Sequence, residues 1–336
     1  MQVALLAWTG TTFAADKVFV TNQGADTISV FDAATLKVLT SVGVSKMPHN
    51  VQVSPNGRLA WVTNNGKPAL TSDVLAHKAL AKDDHESMAN PGALWAIDTA
   101  TYAIVAKVPV GMHPAHVVVS PDGPLAYVTN GGGDTVSVID TAARRLAATI
   151  PVGKFPHGLR ISPDGRQAYV ANLKGSTVSV IDTASQKEVL QVPAGKGPAQ
   201  VGFTPDGRLA FVSLSEESAV AVIDPATRKV TRKVALGSVP IQLYSTPDSR
   251  TLLVANQGTC KKPGRTVSVI DLERFKVAMT VVTGAGAHRV VVDREGRYAY
   301  GTNTCANSVS RVDLKDNKVA KTVSAGKAPN GISVRP

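Results

Sequence analysis

An all-β fold, a seven-bladed propeller of four-stranded blades, is what three features of this 336-residue sequence predict. Aspartates close similar apolar words at Asp32 (SVFD), Asp98 (WAID), Asp140 (SVID), Asp182 (SVID), Asp224 (AVID), Asp271 (SVID) and Asp313 (SRVD). Their spacings are 66, 42, 42, 42, 47 and 42 residues, and 42 is the length of one four-stranded blade. Within each unit Val and Ile alternate with polar residues at the strand period of 2. The two ends of the chain also complement each other. It begins with three strand words (KVFVTN, TISVFD, LKVLTSV) and ends on a lone fourth, GKAPNGISVRP.

Each element has its own signal. Strand A (VVVS, LRIS) follows a Gly/Pro loop. A tight turn comes next: SPNG at 54, SPDG at 120 and 162, TPDG at 204, TPDS at 246, DREG at 293. Pro presets φ at the second turn position and Gly accepts the positive φ at its end. Strand B (LAYVTN, QAYVAN, LAFVS) leads through a polar loop to strand C (TVSVID), and Asp turns the chain into strand D (LAATIPV). The C-terminal strand is expected to complete the N-terminal blade, since closing the ring removes exposed sheet edges. Aspartates and strand-end asparagines (Asn22, Asn64, Asn130, Asn172, Asn256, Asn303) recur in almost every unit, so they are read as turn caps rather than chemistry. The column Phe19, Trp61, Tyr127, Tyr169, Phe211 and Tyr300 is read as packing between blades.

YVTN at 127–130, SPDGR at 162–166 and TVSVIDTA at 135–142 and 177–184 resemble the YVTN family of seven-bladed β-propeller repeat proteins. The resemblance covers about residues 16–336. It implies a secreted, periplasmic or surface protein, often a binding or scaffold protein. Similar propellers also serve as lactonases, lyases and parts of redox enzymes.

The segment MQVALLAWTGTTFAAD has a short apolar stretch, and Thr12-Phe13-Ala14 before Ala15 resembles a signal-peptidase site. Residues 1–15 are therefore assigned to a signal-peptide remnant and 16–336 to one propeller domain, with localisation expected to be periplasmic or secreted. No apolar run reaches about 18 residues, so no membrane span is expected. With 36 Lys and Arg against 25 Asp and Glu, the formal charge is +11, which favours anionic partners. Nucleic acid is a weak candidate, because stacking aromatics are not evident on the loops. A monomer is expected.

The sequence-level site is a ring of histidines. At the start of strand A one column reads His49, Ala115, His157, Ala199, Ile241, His288, Asn330, and the next Asn50, His116, Gly158, Gln200, Gln242, Arg289, Gly331. A propeller gathers these positions at the channel mouth. His49, His116, His157 and His288 are thus candidate ligands, with Arg289, Gln200, Gln242, Asn330 and the loop residue Lys154 as further ligand-binding candidates. Adjacent columns alternate in direction along a strand, so His116 is expected to diverge from the other three. Neutral imidazoles suit a transition metal (Cu, Zn or Fe).

The 24-residue excess between Asp32 and Asp98 is expected to form a helical insert at about 66–92, a lid carrying His77 and His85 as further metal candidates. Cys260 and Cys305 lie in corresponding loops of neighbouring units, and a disulfide between them is expected.

The leading functional expectation is a binding or scaffold propeller whose His/Lys-lined mouth holds an anionic small molecule, a metal or a protein partner. The alternative is a His-ligated transition-metal enzyme or a lyase-type enzyme. Strand A starts contain no Asp or Glu, which argues against a hydrolase built on a hard-cation site.

Overall fold

The computed structural model of the chain describes residues 16–66, 91–237, 239–259 and 261–335. Among them, 28 strands, β1–β28 in chain order, form seven four-stranded antiparallel sheets. Six sheets are consecutive quartets, from β4-β5-β6-β7 to β24-β25-β26-β27. The seventh has the order β28-β1-β2-β3, so β28 (Pro329–Val334) pairs with β1 (Lys17–Asn22) and joins the two ends of the chain. Ring closure thus follows the sequence expectation. Most of the helical insert expected at about 66–92 lies outside the described residues, Pro91 and Gly92 belong to the strand Pro91–Asp98 instead, and no helix occurs among the residues described.

The core lies between blades. Tyr169 packs with Val201 and Val212 of the following blade, and Phe211 with Leu243 and Val254 of the one after. Trp61, Tyr127 and Phe19 repeat the arrangement, all fully buried. At the closure Tyr300 packs with Val18 and Val20, and its hydroxyl donates to Ala33 O at 3.1 Å. The closing aspartates cap turns as expected: Asp98 Oδ1 accepts from Ala100 N at 2.9 Å and Thr101 N at 2.8 Å. Five of the strand-end asparagines differ in detail. The Nδ2 of Asn22, Asn130, Asn172, Asn256 and Asn303 donates to two hydroxyls on the next strand, as from Asn130 to Thr135 at 3.1 Å and Ser137 at 2.9 Å. Asn64, where the corresponding residues are Ala93 and Trp95, donates instead to Val62 O at 3.2 Å.

The innermost strands are β28, β4 (Pro48–Val53), β8 (Pro114–Val119), β12 (Pro156–Ile161), β16 (Pro198–Phe203), β20 (Pro240–Ser245) and β24 (Ala287–Val292). All seven carry a bulge just after their first residue. On β4, Pro48 pairs with Asn64 and Val51 with Val62, so His49 and Asn50 together oppose Thr63 alone. A hydroxyl on the second strand stitches the bulge. Thr63 Oγ1 accepts from Asn50 N at 3.0 Å and donates to Ala115 O of the next blade at 2.7 Å. Thr21, Thr129, Ser213 and Thr302 make the same latch. Ala171 and Ala255 occupy this position in the other two blades and have no hydroxyl to offer.

Candidate active site in the central channel

The bulge decides where the histidines point. Two successive residues facing one partner residue break the simple alternation, so both columns turn toward the channel. His49, His116 and His157, from three consecutive blades, meet there. Ring centroids lie 5.6 Å apart for His49–His116, 5.4 Å for His49–His157 and 4.8 Å for His116–His157. The expected divergence of His116 is therefore incorrect, because it assumed unbroken strand alternation. His288 holds the position equivalent to His157 on β24.

Three of the imidazoles are oriented by backbone. Nδ1 lies 3.1 Å from Ala115 O in His49, 2.9 Å from Ala199 O in His157 and 3.3 Å from Asn330 O in His288. Each acceptor belongs to the next blade. A carbonyl can only accept, so Nδ1 carries a proton, and in the neutral ring Nε2 then holds the lone pair. Such a neutral imidazole has the form of a general base.

His116 is different. Its Nδ1 lies 3.4 Å from the Asn50 amide nitrogen and its Nε2 3.2 Å from that of Gln242, across the channel. Burial, and then the repulsion that a charged ring here would meet from His157 and Arg289, hold it well below the usual imidazole range, so it is neutral. A neutral ring has one N–H to donate. Rotating the Asn50 amide by half a turn would give that N–H an oxygen, and Asn50 Oδ1 is otherwise without a partner.

Arg289 supplies the charge. It is 2% exposed, and its Nε and Nη1 have no hydrogen-bond partner. Burial and then the nearby Arg160 push its pKa down, disfavouring a charge that a guanidinium does not give up. Both polar atoms of the buried Gln200 side chain also lack partners. Gly158 leaves the space that Gln200 fills: a Cβ there would stand 2.0 Å from Gln200 Oε1.

Below the bulge, alternation resumes and a third layer faces inward: Gln52, Val118, Arg160, Gly202, Tyr244, Val291 and Ser333. The Arg160 guanidinium lies 5.8 Å from the Tyr244 ring centroid, two blades away. Sequence reading missed these residues, although each sits two positions after the His116 column and strand period alone would have found them. Among the described residues no Asp or Glu occupies any of the three layers.

The other candidates are placed as follows. Gln242 reaches His116, and Asn330 Nδ2 donates to Gln23 Oε1 at 2.7 Å. Lys154 stands on the rim, its Nζ 2.6 Å from Asp134, and Lys46 pairs with Asp26 in the same way. The rim is thus less positive than its lysines suggested. His113 takes a positive φ of 50° just before β8 and rests on Phe155, with ring centroids 5.5 Å apart. Among the described residues no group of three or more His, Cys, Asp or Glu is arranged to hold a metal ion. His77, His85 and Cys260 lie outside the described residues.

A family model described as "Lactonase, 7-bladed beta-propeller" matches residues 12–191, just over half of the chain. No curated protein matches. Among solved structures, the Pseudomonas aeruginosa periplasmic gluconolactonase superposes with a TM-score of 0.74 at 18% identity, over 96% of this chain and 99% of that one. A putative 6-phosphogluconolactonase from Bacteroides fragilis gives 0.73 at 14%, over 97% and 99%. Kuenenia stuttgartiensis hydrazine synthase gives 0.71 at 22%, over 84% and 88%. At these identities the structural likeness speaks for the fold.

Proposed function

Because the chain belongs to the seven-bladed β-propeller lactonase family, we propose that it is an enzyme that opens or closes a lactone ring in its central channel. The family match overturns the expectation of a non-enzymatic binding or scaffold protein. A catalytic pair is not visible in the sequence where its partners come from different blades.

The observation that carries the proposal is the cluster of His49, His116 and His157 near Arg289, whose Nε and Nη1 lack hydrogen-bond partners. In hydrolysis a water attacks the lactone carbonyl and gives its proton to His157 Nε2, whose lone pair is set by the bond from Nδ1–H to Ala199 O. The carbonyl oxygen becomes an oxyanion, which the Arg289 guanidinium stabilises. When the tetrahedral intermediate collapses, the ring C–O bond breaks and the proton on His157 passes to the alkoxide. His49 shares the orientation of His157 and stands ready as a second base. Neutral His116 completes the pocket wall and holds Asn50 and Gln242 by hydrogen bonds.

Ring opening of a panel of aldonolactones, followed by proton release at constant pH, tests the reading. The parent protein opens at least one lactone, and His157→Ala lowers that rate about 10²–10⁴-fold with an unchanged circular dichroism spectrum. Failure of the parent on every lactone, or full activity in both His157→Ala and Arg289→Met, would refute it.

A periplasmic or extracellular setting, a Cys260–Cys305 disulfide and YVTN-type repeat ancestry complete the proposal. The leader-like N-terminus supports the first. The lack of a free thiol at Cys305 supports the second, and the repeat words support the third.

A further inference from the structure

The channel has a second end. On the face of the A-to-B turns, a cavity of about 280 Å³ is lined by Asp16, Gln52, Tyr244, Arg294 and Arg335, among others. Gln52 and Tyr244 belong to the third channel layer, so this cavity continues directly into the channel. Exposure runs the same way. His49, His157 and His288 are only 8%, 2% and 2% exposed, whereas Gln52, Arg160 and Tyr244 are half-buried. Arg160 leans toward the Tyr244 ring from two blades away. One layer further in stands Arg289, with two guanidinium nitrogens unpartnered.

Asp16 is the one carboxylate in this lining, and it sits near Glu295 as well as Arg335 and Arg294. It does not reach the inner pair. Arg289 is buried, and the half-buried Arg160 is near enough to act on it as a like charge, which costs free energy unless an anion joins them.

We propose that small oxyanions, carboxylate or phosphate, enter the channel from the A-to-B turn face and are clamped between Arg160 and Arg289. As an anchor for the substrate this rests on the lactonase reading. As an anion site it stands without it. The clamp would hold the acidic group of a ligand on the cavity side while the imidazoles act on the part reaching deeper. The side opposite the histidine rim is thus the entrance, the reverse of the sequence expectation.

The test is calorimetric titration of the full chain at low ionic strength with inorganic phosphate and, separately, with succinate. Both should give saturable binding, the tighter one marking which acid the clamp prefers. Arg160→Met weakens it at least tenfold. Arg160→Lys, which keeps the charge but loses the planar fork, weakens it several-fold and covers the case in which Arg160→Met does not fold. Gln52→Trp, filling the A-to-B mouth, abolishes it, and Lys154→Trp on the opposite rim leaves the dissociation constant within twofold. Absence of saturable binding to the parent overturns the proposal. So do unchanged affinity in the two Arg160 variants, unchanged affinity in Gln52→Trp, or loss of binding in Lys154→Trp. Binding is read without turnover, so a protein that opens no lactone can still pass, and an active lactonase can still fail.

Discussion

Replacing Arg289 by Met should make the protein more stable. Arg289 is 2% exposed, and neither its Nε nor its Nη1 has a partner. Leaving a buried charge uncompensated costs about 3–5 kcal/mol. Arg160 adds like-charge repulsion. Met keeps a long unbranched side chain in the same space, and an imperfect fit costs roughly 1–1.5 kcal/mol. The net gain is about 1–4 kcal/mol. With an unfolding entropy of roughly 2.1 cal/mol/K per residue, the midpoint should rise by about 2–6 °C. The assay is differential scanning calorimetry in a low-salt buffer free of phosphate and carboxylates. Saturating phosphate, at about 100 times its dissociation constant, should add about 2.7 kcal/mol to the parent and little to the variant. A variant that melts below the parent in the anion-free buffer would refute the reasoning, for Arg289 would then be stabilising the fold instead of straining it.

Three other outcomes follow from the same geometry. His116 is buried neutral with its pKa depressed, so between the unfolded value near 6.5 and its folded value the unfolded chain binds more protons. Its contribution is complete above about pH 6.5 and is lost as pH falls, at up to about 1.4 kcal/mol per pH unit, and urea titrations of His116→Gln should show a shallower acid slope. Thr63→Val removes an acceptor for Asn50 N and a donor to Ala115 O, and should cost about 1–3 kcal/mol by the same titration, with Ala171→Thr as a converse test. A chain ending at Lys327 lacks β28, exposes the paired edge of β1 and loses the buried Ile332, so it should not show the parent's single cooperative melt.

The corrections have particular physical causes. Strand alternation is a reliable rule, and it failed at His116 because every inner strand inserts one extra residue there. Nothing in the words PHN or PAH announces a bulge, and the hydroxyl latch that stitches five of the seven comes from a neighbouring strand and the adjacent blade's carbonyl, while the strands opposite Ala171 and Ala255 bulge without it. Arg160 was legible by contrast, lying two positions beyond Gly158 on the same face, yet its single occurrence hid it among recurring histidines. Lys154 looked like part of a positive mouth because Asp134, its partner, is 20 residues away in sequence. The absence of strand-A carboxylates argued against a hard-cation hydrolase, but says nothing against acid–base chemistry carried by imidazoles.

The 42-residue period, the strand alternation and the mismatched ends determined the propeller, its blade count and its closing strand. Local rules govern those features, because each blade repeats the same turns and the same apolar face. The ring alone decided which side chains share the channel, which imidazole nitrogens meet a carbonyl and which buried arginine keeps two guanidinium nitrogens without a partner. Those depend on contacts between blades, where residues 42 or 126 positions apart become neighbours, and no local rule reaches that far.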